Sequence, residues 1–519
     1  MSPRELPARP NLEHLKKQAR TLLQEAQSSE PSAMARFTEV SVASSAPKLA
    51  DALHVIAREY GFESWPKLKL HVESNSEDAG LALTAAIRAN DAKLVRSVLE
   101  RHPSLTKQIN EPLTHYSFDI PPIVAAAERE SREVVDVLLA AGANINERSR
   151  WWAGSFGVLD FCGSELAEYL ISRGATLDIH SAARLGKVDE VRAMLARDPQ
   201  LVHARGGDGQ LALHFAATVE IAELLLEHGA KVDVRDIDHE STAAQYMAGF
   251  GRYRNSPKSD RHDIVRLLIS KGAETDILMA SAIGDRTLVE EILNNDPDTV
   301  RVIVNEKHLP KRDLKSGGMI YFYGFGMTKT PHMIALDFGH RDVFELLMQR
   351  SAPWLRLSQA AEAEEESLVR ELVQKHPAMM AKLTPNAARR IVGPAVRGNT
   401  RAVELLLECG WPANATLDNN QTALHYAAWH GNLAMLRMLL SHGAPVNVFE
   451  TQHGGSPMGW ALHGSENSWL RDKGDYPGVV RALFAAGATL PQPQGPWAAT
   501  EEVMDVLREH ELSEEPPQT

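Results

Sequence analysis

Residues 324–329, Gly-Phe-Gly-Met-Thr-Lys, open like a glycine-rich phosphate loop, in which backbone amides would cradle phosphate oxygens. The third glycine is missing, no strand–helix–strand unit surrounds the run, and no Gly-Lys-Ser/Thr of the Walker type occurs, so nucleotide binding is not expected. The 21 histidines invite a metal reading. His239-Glu240 lacks the second histidine of H-E-x-x-H, because position 243 is Ala243. His425 and His430 are separated by ~500° of helical rotation and point in different directions. Only Cys162 and Cys409 occur, too few for a zinc knuckle or a disulfide framework. Gly154-Ser155-Phe156-Gly157 is not the G-x-S-x-G of a nucleophile elbow, and neither cysteine sits in a nucleophile signature, so both read as inert structural thiols. No catalytic residue, cofactor or local metal motif is expected. A metal site assembled from distant segments is the one alternative this leaves.

A set of large aromatic and polar side chains survives this sifting. Tyr426, Trp429 and His430 lie close together, and Trp460, His463, Glu466, Asn467, Trp469, Asp475 and Tyr476 follow within one further segment. Aromatics mixed with Glu, Asn and His are the material of binding hot spots and of ligand pockets. Three readings stay open for them: a plug over an apolar edge, a protein-binding patch, or a small-molecule pocket. Trp151-Trp152 forms a weaker candidate, with Asp238, His239, Glu240 and Tyr246 as prospective neighbours, and simple packing accounts for it best.

The elements that must position these residues repeat along the chain. The clearest is QTALHYAAWHGNLAMLRMLLSHGAPVN at 421–447. Thr422 can cap a first helix, Ala427 and Ala428 let two helices approach, Gly431 suits the turn between them, and Leu436, Leu439 and Leu440 make the apolar stripe of the second. This unit resembles the ankyrin repeat closely. The same frame fits 121–146, 211–233, 330–350, 398–414 and, with an insertion, 456–488, so at least ten units are expected. The resemblance implies that Tyr426, Trp429, His430 and Trp460 occupy variable inner-helix sites facing a concave side. It also implies that His425 and His214 tie hairpin to helix.

A second regularity runs through 81–105, 177–201, 275–297 and 355–377, helix pairs that each end in His-Pro or Asp-Pro at Pro103, Pro199, Pro297 and Pro377. Their spacing makes a higher-order repeat of about three ankyrin units. At GATLDIH, GAETDIL and SAPWLRL the helix pair follows the previous unit almost at once, which leaves little room for the usual β-hairpin finger, so fingers are expected to be missing at these three places. Insertions at 248–260, 303–329 and 465–476 could fill the gaps, giving local pockets instead of an evenly ridged groove.

Residues 1–75 read as three or four short amphipathic helices, a separate N-terminal segment. Its LPARPNLEHLKKQA start and REYGFESWPKLK end resemble a group of bacterial ankyrin-repeat proteins for which the resemblance implies a fold and no reaction. Ten Lys/Arg against nine Asp/Glu make this the least acidic part of a chain whose formal charge is -13. Lys16, Lys17, Arg20, Lys67 and Lys69 are diluted by Glu13, Glu25, Glu63 and Glu73, so a solvated face capping the first repeat is expected there in place of nucleic-acid binding. The first thirty residues lack the apolar core of a signal peptide and no run is long enough to span a bilayer, which makes the cytoplasm the expected compartment.

The expectation is a mainly α chain: a helical segment at 1–75, an ankyrin solenoid of stacked helix pairs over 80–510 in about 11–13 units with short hairpin fingers, some of them missing, and an acidic tail at 511–519. Its expected role is a scaffold or adaptor that binds another protein on the concave face. The alternative is a small-molecule-binding protein or enzyme with a pocket in the C-terminal repeats. A hydrogen bond between convergent His463 and Glu466 in a closed pocket would favour that alternative.

Overall fold

The computed structural model describes residues 4–7, 10–28, 30–40, 47, 49–249, 261–491 and 499–514, and most of the expected insertion at 248–260 therefore lies outside the described residues. The chain divides into two compact units, Met1–Glu274 with Leu309–Gly324, and Thr275–His308 with Phe325–Thr519.

In the first unit, the helices Leu12–Gln27, Pro31–Glu39, Leu49–Glu59 and Trp65–Ser74 enclose a small core built on Leu15, Leu22, Phe37, Ile56 and Leu68. Their apolar residues recur three and four apart, so each helix has one face to bury. Glu59 is fully buried in this core and takes a two-pronged bond from Arg36, at 2.6 and 2.9 Å, with Arg4 at 3.1 Å. A buried carboxylate held this way keeps its charge compensated. On the outside, Lys16 pairs with Glu13 at 2.8 Å, Lys69 with Glu73 at 3.7 Å, and Lys67 with Glu63. Arg101 of the next helix pair donates to the Ser74 carbonyl at 2.7 Å, so the segment is joined to the helix pair that follows it.

Helix pairs then repeat through both units. Short inner helices such as Ile277–Ile283 and Ala423–Trp429 are almost wholly buried, because small residues let neighbouring helices close up on both sides. Outer helices such as Ala92–Arg101 and Thr400–Glu408 bury one stripe. Pro103, Pro199 and Pro297 each start a 3-10 turn directly after an outer helix, where a ring without an N–H costs no helical bond.

Fingers are closed by single antiparallel bridges, Arg205 with Leu211, Arg235 with Thr242 and Thr416 with Thr422, and no longer ladder occurs among the described residues. At the finger-free junctions the outer helix ends at Ser172, Ser270 or Arg350, and the next inner helix begins at Ile179, Ile277 or Pro353. The helix Glu501–Glu514 runs into the stretch expected to be an acidic tail, and residues 515–519 lie outside the described residues.

The stretch after Val302 goes to an unexpected place. Residues 309–324 belong to the first unit and fold back over the finger at 236–241. The Arg312 and Asp313 amides donate to the Glu240 carboxylate, at 2.8 and 2.6 Å, Gly317 donates to the Asp238 carbonyl at 2.9 Å, and Ile320 to the Ser241 hydroxyl at 3.0 Å. Glu240 itself has φ +48°, a left-handed conformation that turns its carboxylate toward those amides.

Candidate functional site: an aromatic ledge in the second unit

The ledge grows from two consecutive inner helices, Ala423–Trp429 and Pro457–Asn467. Thr422 caps the first, and its amide donates to His425 Nδ1 at 3.2 Å. The opposite ring nitrogen of His425 donates to the Gly455 carbonyl at 3.3 Å, which ties one repeat to the next finger. His214 does the same work for Leu211 and Ser241, both at 3.2 Å. Burial pushes the His425 pKa down to about 4 against those hydrogen bonds, so the ring is neutral and its two nitrogens play opposite roles.

Gly464 lets the two inner helices meet. A Cβ there would stand 2.4 Å from the Trp429 carbonyl oxygen, so only glycine permits this approach. Trp460 consequently stacks edge-on against His425 at 5.2 Å, Tyr426 at 5.1 Å and Trp429 at 5.9 Å. Trp429 continues the row to His463 at 5.6 Å and Trp469 at 5.9 Å. Offset and edge contacts at such spacings suit the ring quadrupoles.

The ten residues singled out in the sequence therefore fall into two groups. Tyr426, His430 and Tyr476 are buried and hydrogen-bonded within the fold. Tyr426 donates to the Gln421 side chain at 2.6 Å, Tyr476 to the Trp429 carbonyl at 2.8 Å, and His430 reaches the Val396 carbonyl at 2.8 Å and the Ser468 hydroxyl at 3.1 Å. Trp429 and Trp460 are half-buried, while His463, Glu466, Asn467, Trp469 and Asp475 are exposed. Trp469 stands out, with 64 % of its surface open. Asp475 caps the helix Tyr476–Ala485 by accepting from Gly478 at 2.9 Å. His463 bonds Asn467 at 3.3 Å, and among the described residues no hydrogen bond joins it to Glu466. An open ledge, polar at its rim, is the result.

Two features escaped the residue patterns. Ser468 supports both His430 and the Leu470 amide, at 3.1 and 3.2 Å, and so fixes the turn that lifts Trp469. In the first unit, the finger-free junction opens a cleft of about 370 Å³ lined by Arg148, Asp178, His180, Arg197 and Arg205. The missing finger was its only signal. The Trp151-Trp152 pair is not among the residues that line it. Trp151 packs edge-on against Phe118 at 5.1 Å and Trp152 at 6.2 Å, and Gly154 just after them meets the backbone of Gly206 and Gly209. The two cysteines are free, and burial pushes the Cys162 thiol up to about 11, which suits an inert packing residue.

The family described as Ankyrin repeats (3 copies) matches residues 357–450, which include the first helix of the ledge, and the one described as Ankyrin repeat matches residues 208–237. Residues 208–237 and 357–450 are thus similar to ankyrin repeats. Among curated proteins, Ankyrin repeat domain-containing protein SAT10 of the fungus Stachybotrys chartarum is 24% identical over 479 residues, covering 83% of this chain and 22% of its own length. Putative ankyrin repeat protein FPV018 of Fowlpox virus is 23% identical over 288 residues, covering 52% of this chain and 38% of its own. The chain thus spans well under half the length of these ankyrin-repeat relatives, which are fungal and viral. Among solved structures, the human ASB11 ankyrin repeat domain aligns with 61% of this chain at 17% identity and a TM-score of 0.25. No helix among the described residues is long and apolar enough to cross a membrane.

Proposed function

We propose that this chain is a scaffold or adaptor that binds a partner protein on the inner-helix face of its ankyrin repeats, through the ledge at Trp429, Trp460, His463 and Trp469. Stacked repeats present side chains on rigid elements, which is how such folds bind without catalytic groups. One observation carries the reading: an indole left 64 % exposed on a row of packed rings. Leaving so large an apolar ring in water is unfavourable, and interface hot spots are built from half-buried aromatics ringed by polar groups. The rim here is His463, Glu466, Asn467 and Asp475. We place the repeats at 80–510, in about 11–13 units, with 1–75 as the cap of the first. Two free thiols suit a cytoplasmic setting.

The test is site-specific photo-crosslinking. A photoreactive residue at Trp469 should capture one discrete partner from cells, and the same residue at Leu314, 96 % exposed on the other unit, should not. Capture that is identical at both positions would refute the ledge as the binding surface.

A further inference from the structure

In the first unit, the fingers at 206–211 and 236–241 bring the adjacent Asp238 and His239 to one point with Asp208 of the preceding finger. One ligand atom from each of Asp208, Asp238 and His239 lies within 4.8 Å of the other two. His239 Nε2 is 3.6 Å from Asp238 Oδ2 and 3.9 Å from Asp208 Oδ2. Both distances are too long for an N–H···O hydrogen bond. They approach the edge of about 3.4 Å that a tetrahedral ion with bonds of ~2.0–2.1 Å sets between its ligands.

The neighbourhood prepares these atoms as acceptors. His239 Nδ1 donates to the Gly318 carbonyl at 3.1 Å, which leaves Nε2 with its lone pair directed at the carboxylates. This backbone anchor is the usual outer partner of a ligating imidazole. Asp238 has only 7 % of its side chain exposed; it commits Oδ1 to the Gly317 amide at 3.1 Å, and Oδ2, which receives no hydrogen bond from the described residues, faces the same point. Asp236 of the same finger provides the contrast. Its Oδ1 accepts from Ser241 at 2.7 Å, and its Oδ2 from the His239 amide at 2.8 Å and the Tyr246 hydroxyl at 2.9 Å. Protein donors satisfy Asp236 completely, whereas Asp208 and Asp238 turn carboxylates of like charge toward one point beside His239. A shared cation relieves that repulsion.

We propose that Asp208, Asp238 and His239 bind one divalent transition-metal ion of the zinc type. One imidazole and two carboxylates suit such an ion better than magnesium or calcium, which favour oxygen ligands alone, and a tetrahedral ion would keep one position for water. Both anchors of the site, Gly317 and Gly318, come from the folded-back stretch 309–324. The ion therefore staples that stretch to the finger.

Titration of the chelator-stripped full chain with zinc chloride, followed by calorimetry, should show one ion per chain. Asp238→Asn and His239→Gln should each weaken that binding at least about tenfold. Hydrogen exchange at 309–324 should slow when zinc is added to the wild type and not when magnesium is added. X-ray absorption of the zinc-loaded wild type should show a single imidazole among oxygen ligands, a readout that holds even where a variant folds poorly. Absence of stoichiometric zinc binding, undiminished binding by both variants, or more than one imidazole on the ion would overturn the proposal.

Discussion

The exposed indole of Trp469 packs edge-on against the buried imidazole of His430, with ring centroids 4.9 Å apart. One ring is available to a partner, and the other is locked through both nitrogens, to Val396 and Ser468. An exposed ring of the ledge is therefore held by a buried one that is hydrogen-bonded through both nitrogens.

Replacing the two should separate binding from folding. His430→Ala leaves the Val396 carbonyl and the Ser468 hydroxyl without their partner inside the fold and should cost ~1–3 kcal/mol. Trp469→Ala removes a mostly exposed ring and should change stability by less than about 1 kcal/mol. Urea unfolding of the two variants measures this. A larger loss for Trp469→Ala would mean that the ring is a plug for the repeats beneath it.

The folded-back stretch at 309–324 hangs on one carboxylate that accepts two adjacent backbone amides. Glu240→Ala should speed hydrogen exchange across 309–324 while leaving the helices of 421–441 unchanged. Equal exchange in both proteins would show that the remaining contacts to Asp238, His239 and Ser241 suffice without it.

Stability should fall with acid because of buried histidines. Burial lowers the pKa of His214 and His425 to about 4 and that of His332 to about 3. The unfolded chain takes up these protons near pH 6.5 while the folded chain still refuses them, so stability is full above that pH and declines as pH drops toward 4. Within that window each such histidine contributes a slope of about 1.4 kcal/mol per pH unit. Thermal unfolding between pH 7 and pH 5 tests this, and His425→Gln, though less stable overall, should show a slope shallower by about one proton.

Local spacing was enough to read the repeats, their caps and the places where fingers drop out. Thr422, Gly431, the leucine stripe and the prolines after the outer helices act within a turn or two of themselves, so their meaning does not depend on distant chain. The aromatic and polar residues between 426 and 476 were likewise visible as a group. Which of them face inward was not. Tyr426, His430 and Tyr476 are buried while Trp469 is exposed because Gly464 lets a neighbouring helix close on Trp429, and because Ser468 turns the chain outward. The approach of residues 309–324 to the finger at 236–241 was equally illegible. Asp208, Asp238 and His239 carry no motif in order along the chain, and only stacked fingers and a returning loop bring their ligand atoms together. Periodicity encodes which side of an element is apolar, while the partner that covers that side, and the charges it meets there, are settled by contacts between residues far apart in sequence.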